Sequence, residues 1–213
     1  MNEFIEWHHD VTGEKVVKAL MDNGFQARYC KSAKEACEAV LQEVPEGASV
    51  GVGGSWTIAQ LGVLDELENK GHSVLNHGKA GLSTEEKNSI RRQQLTCDVF
   101  LSGTNAVTLE GELVNVDGTG NRVAAMIYGP KKVIIVVGIN KIVPNISAAM
   151  ERIESIAAPI NNKRLGLPNP CTKTGECMDC QGPTRICNVT TIMHKKPSLS
   201  DISVVVVGEN MGF

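Results

Sequence analysis

The chain is poor in aromatic residues, 4% of 213, while 42% are hydrophobic, so any core it builds is aliphatic. It has no apolar run of eighteen residues, so no segment is expected to cross a membrane as a helix. Met1–Asp10 carries Glu3, Glu6 and Asp10 and lacks the apolar stretch of a secretory leader. A cytoplasmic protein with reduced thiols is expected. The net charge is −3, which argues against general nucleic-acid binding. There is no G-x-G-x-x-G, no G-x-x-x-x-G-K-[ST] and no H-E-x-x-H, so dinucleotide, P-loop and zincin readings have no motif to stand on. Internal repeats and low-complexity tracts are also missing.

What is present is an alternation of helical and extended patterns. Phe4, Ile5, Val11, Val16, Val17 and Leu20 recur near a helical period over 2–23, and Asn23-Gly24 closes it. A strand is expected near Phe25–Tyr29. Ser32 caps a helix over 33–43, with Glu35 at the capping-box position. A strand over 49–52, a helix over 57–69, a strand over 72–75 and a helix from Ser83 or Thr84 to Leu95 follow. Residues 99–101 read as a strand and 106–116 as a hairpin turning at Glu110-Gly111. The aliphatic run Val133–Val137 suits a parallel strand buried on both faces. A helix over 147–157 and a last strand over 202–207 complete a three-layer α/β fold, a mostly parallel sheet between helices. The chain reads as one domain, with a cysteine-rich segment, 163–198, inserted before the last strand.

Two glycine-rich turns stand at expected strand ends. Gly53, Gly54, Ser55 and Thr57 follow the strand at 49–52 and open a helix, where glycines allow close approach and free N–H groups face an anion. A capped strand–helix turn accounts for the same residues, and Trp56 reads as a packing residue. Thr104 and Asn105 end the strand at 99–101, and Arg122 begins a helix after Asp117-Gly118-Thr119-Gly120. Ligands in open α/β sheets sit at the carboxyl ends of strands. These seven residues are therefore expected to share a pocket for a small organic acid or a phosphate-bearing ligand. Arg122 either grips a carboxylate in bidentate fashion or makes a structural salt bridge. Glu110 reads as a solvated turn residue. His8 and His9 read as surface, and His72 and His77 have no partner at short spacing.

Four of the seven cysteines crowd together as Cys171, Cys177, Cys180 and Cys187, spaced C-x5-C-x2-C-x6-C. In a reduced compartment such a group more often holds metal than disulfides. Only Cys177 and Cys180 form a knuckle, whereas structural zinc favours two. The irregular spacing suits a [4Fe–4S] cluster, with zinc as the alternative. Six basic and two acidic residues lie between Lys163 and Lys196, a local balance of +4 that favours an anionic thiolate site. His194 is a possible fifth ligand. Cys30 and Cys97 read as small core residues.

The run Gly118-Thr-Gly-Asn-Arg-Val-Ala-Ala-Met-Ile-Tyr-Gly-Pro130, then Val133-Ile-Ile-Val-Val-Gly-Ile-Asn-Lys-Ile-Val143, resembles the LUD (lactate-utilisation, DUF162) family. Ala157–Leu167 and the cysteine segment look like its anaerobe-type members. The resemblance implies a fold similar to the ribose-5-phosphate isomerase, glucosamine-phosphate isomerase and CoA-transferase group. It also implies an iron–sulfur setting in the oxidation of lactate-like acids. The ferredoxin-type C-x2-C-x2-C-x3-C run of cluster-bearing partners in that system does not occur here. Three functions stay open. The first is a redox component of organic-acid metabolism with a redox protein partner. The second is a non-redox isomerase or acyl-transfer enzyme with structural zinc. The third is a [4Fe–4S] enzyme with one open iron, in which Cys187 does not ligate. The sequence leaves substrate and oligomeric state open.

Overall fold

Among the described residues, 2–213 of this computed structural model, six strands form one parallel sheet and four form a second, smaller sheet. The chain opens with α1 (Glu3–Asp22), β1 (Gln26–Cys30), α2 (Ala33–Glu43), β2 (Ser49–Val52), the short helices α3 (Trp56–Leu61) and α4 (Val63–Asn69), and β3 (Ser73–Leu75). Next come α5 (Thr84–Gln93), β4 (Val99–Gly103), β5 (Ala106–Thr108), β6 (Leu113–Asp117), α6 (Asn121–Ile127) and β7 (Lys132–Gly138). β8 (Ile142–Val143), α7 (Ile146–Arg152), a π-helical turn (Ile153–Ala157) and α8 (Ala158–Arg164) lead to the one-turn helix α9 (Cys171–Thr174). β9 (Val189–Met193) and β10 (Ile202–Val207) follow.

The large sheet runs β1-β10-β7-β4-β2-β3. Its centre is β10 beside β7, with Val204 opposite Ile135 and Val206 opposite Val137. Both strands are aliphatic because both faces are covered. On one face Val136, Val205 and Leu101 pack against Ile58 and Leu67 of α3 and α4 and Val40 of α2. On the other, Ile135, Val204 and Phe100 pack against Val16 and Leu20 of α1 and Met126 of α6. Cys30 and Cys97 are buried in these two layers, as expected.

The structure departs from the sequence reading in four places. The expected helix over 57–69 breaks at Gly62, which takes a left-handed φ of 73° and ends α3 after six residues. Only half of the expected box at α2 forms. Ser32 accepts from the Glu35 N–H, but the Glu35 carboxylate accepts from the Lys31 N–H instead. The apolar residues at the start of α1 do not join the core, and Phe4 and Trp7 are exposed. Finally, 163–198 is not a plain insertion. It contains β9, which pairs antiparallel with β6 (Val114 opposite Ile192) in the small sheet β8-β5-β6-β9.

Candidate functional site

β2, β4 and β7 all end on the same side of the large sheet, and the loops leaving them wall a cavity of about 260 Å³. Gly53, Gly54, Ser55, Thr57, Thr104, Asn105 and Arg122 all line it, the convergence expected from the two glycine turns. Glycine is required here for space. A Cβ on Gly53 would come 2.9 Å from Arg122 Cγ, and one on Gly103 would come 2.7 Å from Ser55 Oγ.

The roles of these residues differ from the simplest expectation. Ser55 Oγ accepts from the Ile58 N–H, so its hydroxyl caps α3. With only six residues in α3, the anion argument from a helix terminus has little to rest on. The Arg122 guanidinium is engaged by the protein. It faces Asp117 Oδ2 at 3.4 Å and donates to Asn115 Oδ1, Val116 O and Asn105 Oδ1 at 2.7, 2.9 and 3.2 Å. Arg122 therefore clamps β6 and the β4–β5 loop as a structural salt bridge and lends the cavity charge, with no free bidentate face. Thr104 Oγ1 lies within hydrogen-bonding distance of Ala106 O and Asn115 Oδ1, and the Asn105 side chain accepts from the Val116 N–H. Trp56 is half exposed at the cavity, not packed in the core.

Three cavity residues lie outside the pocket set expected from the sequence. Lys141, in the turn after β7, is almost fully buried, and its Nζ lies 2.8 Å from Thr57 Oγ1 and 3.4 Å from Thr104 O. Burial, with the Arg152 and Arg122 charges nearby, pushes its amine down to about 7. The signal was there: one lysine inside the aliphatic run from Val133 to Val143. His77 sits beside Gly54, and burial lowers its pKa, helped by the Arg91 charge. Arg164, at the end of α8, completes the cationic rim. The facing wall is apolar, with Ile153, Ala157 and Ala158 from the π-helical turn and α8. Such turns frequently mark functional sites.

The cysteine segment borders this cavity, because Ile186 and Cys187 lie in its wall. Two of the four thiols are shifted in part by the others. Burial raises the Cys171 pKa, followed by the Cys180 and Cys177 charges. Burial pushes Cys187 up to about 11, with the other three thiols also raising it and Arg185 opposing. Arg185 straps the loop, donating to Cys180 O at 2.6 Å, Cys187 O at 3.0 Å and Asp179 Oδ1 at 2.7 Å. Asp179, inside the knuckle, has a φ of 43°, a left-handed conformation that aspartate tolerates, and its N–H donates to Cys177 Sγ at 3.4 Å. The Cys177 N–H donates to Glu154 O at 2.9 Å, tying the knuckle to the π-helical turn. As placed, no three Cys, His, Asp or Glu side chains among the described residues converge on a single ion. His194 pairs with Glu112 at 2.7 Å instead of turning toward the thiols. Among the described residues, no helix is long and apolar enough to cross a membrane.

The LUD domain family model matches residues 13–207. A DUF162 family protein from Deinococcus radiodurans is similar in structure, with a TM-score of 0.54 and 18% identity over 93% of this chain and 98% of that one. At that identity the likeness concerns the fold. A ribose 5-phosphate isomerase from Plasmodium falciparum aligns over 53% of each chain at 18% identity and a TM-score of 0.34, too low to bear on function. No curated protein matches.

Proposed function

The chain belongs to the LUD domain family, and from that premise we propose that it is an iron–sulfur component of organic-acid metabolism. In this reading a small, lactate-like acid or a phosphate-bearing anion occupies the cavity at the ends of β2 and β4. Cys171, Cys177, Cys180 and Cys187 hold a [4Fe–4S] cluster beside it. The observation that carries the reading is Cys187 in the wall of the same cavity that Arg91 and Arg164 also line.

The donor set supports the metal. Cys171 and Cys187, whose pKa values burial and the neighbouring thiols raise, would repel those neighbours as thiolates unless a cation lay among them. As placed the four thiols do not converge on one point, so in this reading the segment from Cys171 to Cys187 closes on the cluster as it binds. The Asp179 N–H on Cys177 Sγ and the Arg185 strap are the contacts that orient thiolate ligands and tune their charge. A bound cluster supplies one-electron chemistry at the cavity wall. The protein's own part is to hold the anion against fixed positive charge and to cover its apolar end with Ile153 and Ala157.

Protein purified without oxygen provides the test, by iron, sulfide and zinc content and by absorption and EPR spectra before and after reduction. About four irons per chain are expected, with visible absorption that bleaches on reduction. Cys177→Ser and Cys180→Ser should each abolish them, because metal binding and loop folding are coupled. A colourless zinc protein would favour the isomerase or acyl-transfer reading with structural metal. Iron retained in Cys187→Ser, with a changed EPR signal on adding lactate, would favour a cluster with one open iron.

A further inference from the structure

We propose that Lys141 is the proton-accepting group of the cavity, so that a small carboxylate binds together with one proton, which ends on the Lys141 amine. The inference rests on the reading of the cavity as an anion site and adds the group that makes binding depend on pH.

Lys141 is a buried lysine, and the two charges that act on it most are cations. Arg152 approaches from α7 and Arg122 from α6, and Asp117 is already paired with Arg122. Its contacts are two oxygens, Thr57 Oγ1 from α3 and Thr104 O after β4. Thr57 can accept from the amine because its own hydroxyl hydrogen is directed to Met211 O at 3.4 Å. A neutral amine has two N–H bonds and one lone pair. The two oxygens take up both N–H bonds and leave the lone pair, and Lys141 is among the residues that line the cavity. Arg91, Arg164 and His77 also face this cavity, as do Asp117 and the terminal residue Phe213 with its carboxylate, while the charges that act on Lys141 are those of Arg152 and Arg122.

The proton balance follows. The free cavity holds neutral Lys141 at about pH 8, since burial and the two arginines lower its pKa to about 7. A carboxylate entering the cavity adds the negative charge that Lys141 lacks. The amine then takes one proton from solvent, becomes an ammonium, and turns its third N–H to the carboxylate. No bond other than N–H forms, and no oxidant or reductant is involved. The apolar wall of Ile153, Ala157 and Ala158 receives a short hydrocarbon tail, which favours a small monocarboxylate over a larger, fully polar anion.

Isothermal titration of sodium pyruvate into the metal-loaded protein, repeated in buffers of different ionisation enthalpy, tests this. The expected result is uptake of about one proton per pyruvate near pH 8, falling toward zero well below pH 7, with affinity weakening about tenfold per pH unit above it. Lys141→Arg, permanently charged, should bind pyruvate with no proton uptake and a flat pH profile. Pyruvate binding without proton uptake near pH 8 would overturn the inference and leave the anion-site reading standing. No pyruvate binding at any of these pH values would overturn both the inference and the reading of the cavity as a site for a lactate-like acid.

Discussion

Burying Lys141 among cations should leave a signature in stability that needs no ligand. Its pKa is about 7 in the folded protein against an ordinary 10.5. Between those values the unfolded chain binds more protons than the folded one, so stability rises with pH across that window. Below about pH 7 both states are protonated and the folded state carries the whole burial cost, about 5 kcal/mol at about 1.4 kcal/mol per pH unit of difference. From pH 7 to pH 9 the folded amine is already largely neutral while the unfolded one is still charged, which returns about 2 kcal/mol. Lys141→Met removes the group and keeps most of its volume. The assay is urea unfolding of wild type and variant over this pH range. Cysteines, histidines and the remaining lysines cancel in the difference between the two curves. Wild type should gain about 2 kcal/mol on the variant between pH 7 and pH 9. Parallel curves would show that Lys141 is charged in the fold at neutral pH, and would remove its role as proton acceptor.

Gly103→Ala should cost about 1–3 kcal/mol, because the new Cβ would press on the Ser55 hydroxyl and dislodge the α3 cap; unchanged urea denaturation would refute the steric reading. Arg122→Met leaves Asp117 facing no cation in a half-closed site and should cost about 3–5 kcal/mol, measured the same way, whereas a loss below about 1 kcal/mol would mean the clamp on β6 is not structural. Ser83→Ala removes a complete capping box on α5 and should cost about 1 kcal/mol while leaving anion binding unchanged, checked by unfolding and pyruvate titration side by side.

Much of the architecture was legible in the chain itself. Val133–Val137 and Ile202–Val207 announce strands covered on both faces, because only a doubly buried strand keeps aliphatic side chains on every position. The glycine turns at 51–54 and 102–105 mark strand ends where backbone and side chains meet closely. Elements with no periodic signal needed the tertiary structure. β9 alternates weakly and is largely exposed; it is a strand because β6, about seventy residues earlier, offers it hydrogen bonds. Gly62 divides α3 from α4 through one left-handed residue, which no apolar period records. Arg122 could have been a ligand grip or a clamp, and only the placement of Asn105, Asn115 and Asp117 around it decided for the clamp. Lys141 follows the same logic. The sequence fixes a lysine after an aliphatic strand, but burial, two arginines and two accepting oxygens come from four separate elements, and a pKa depends on what surrounds a group in space.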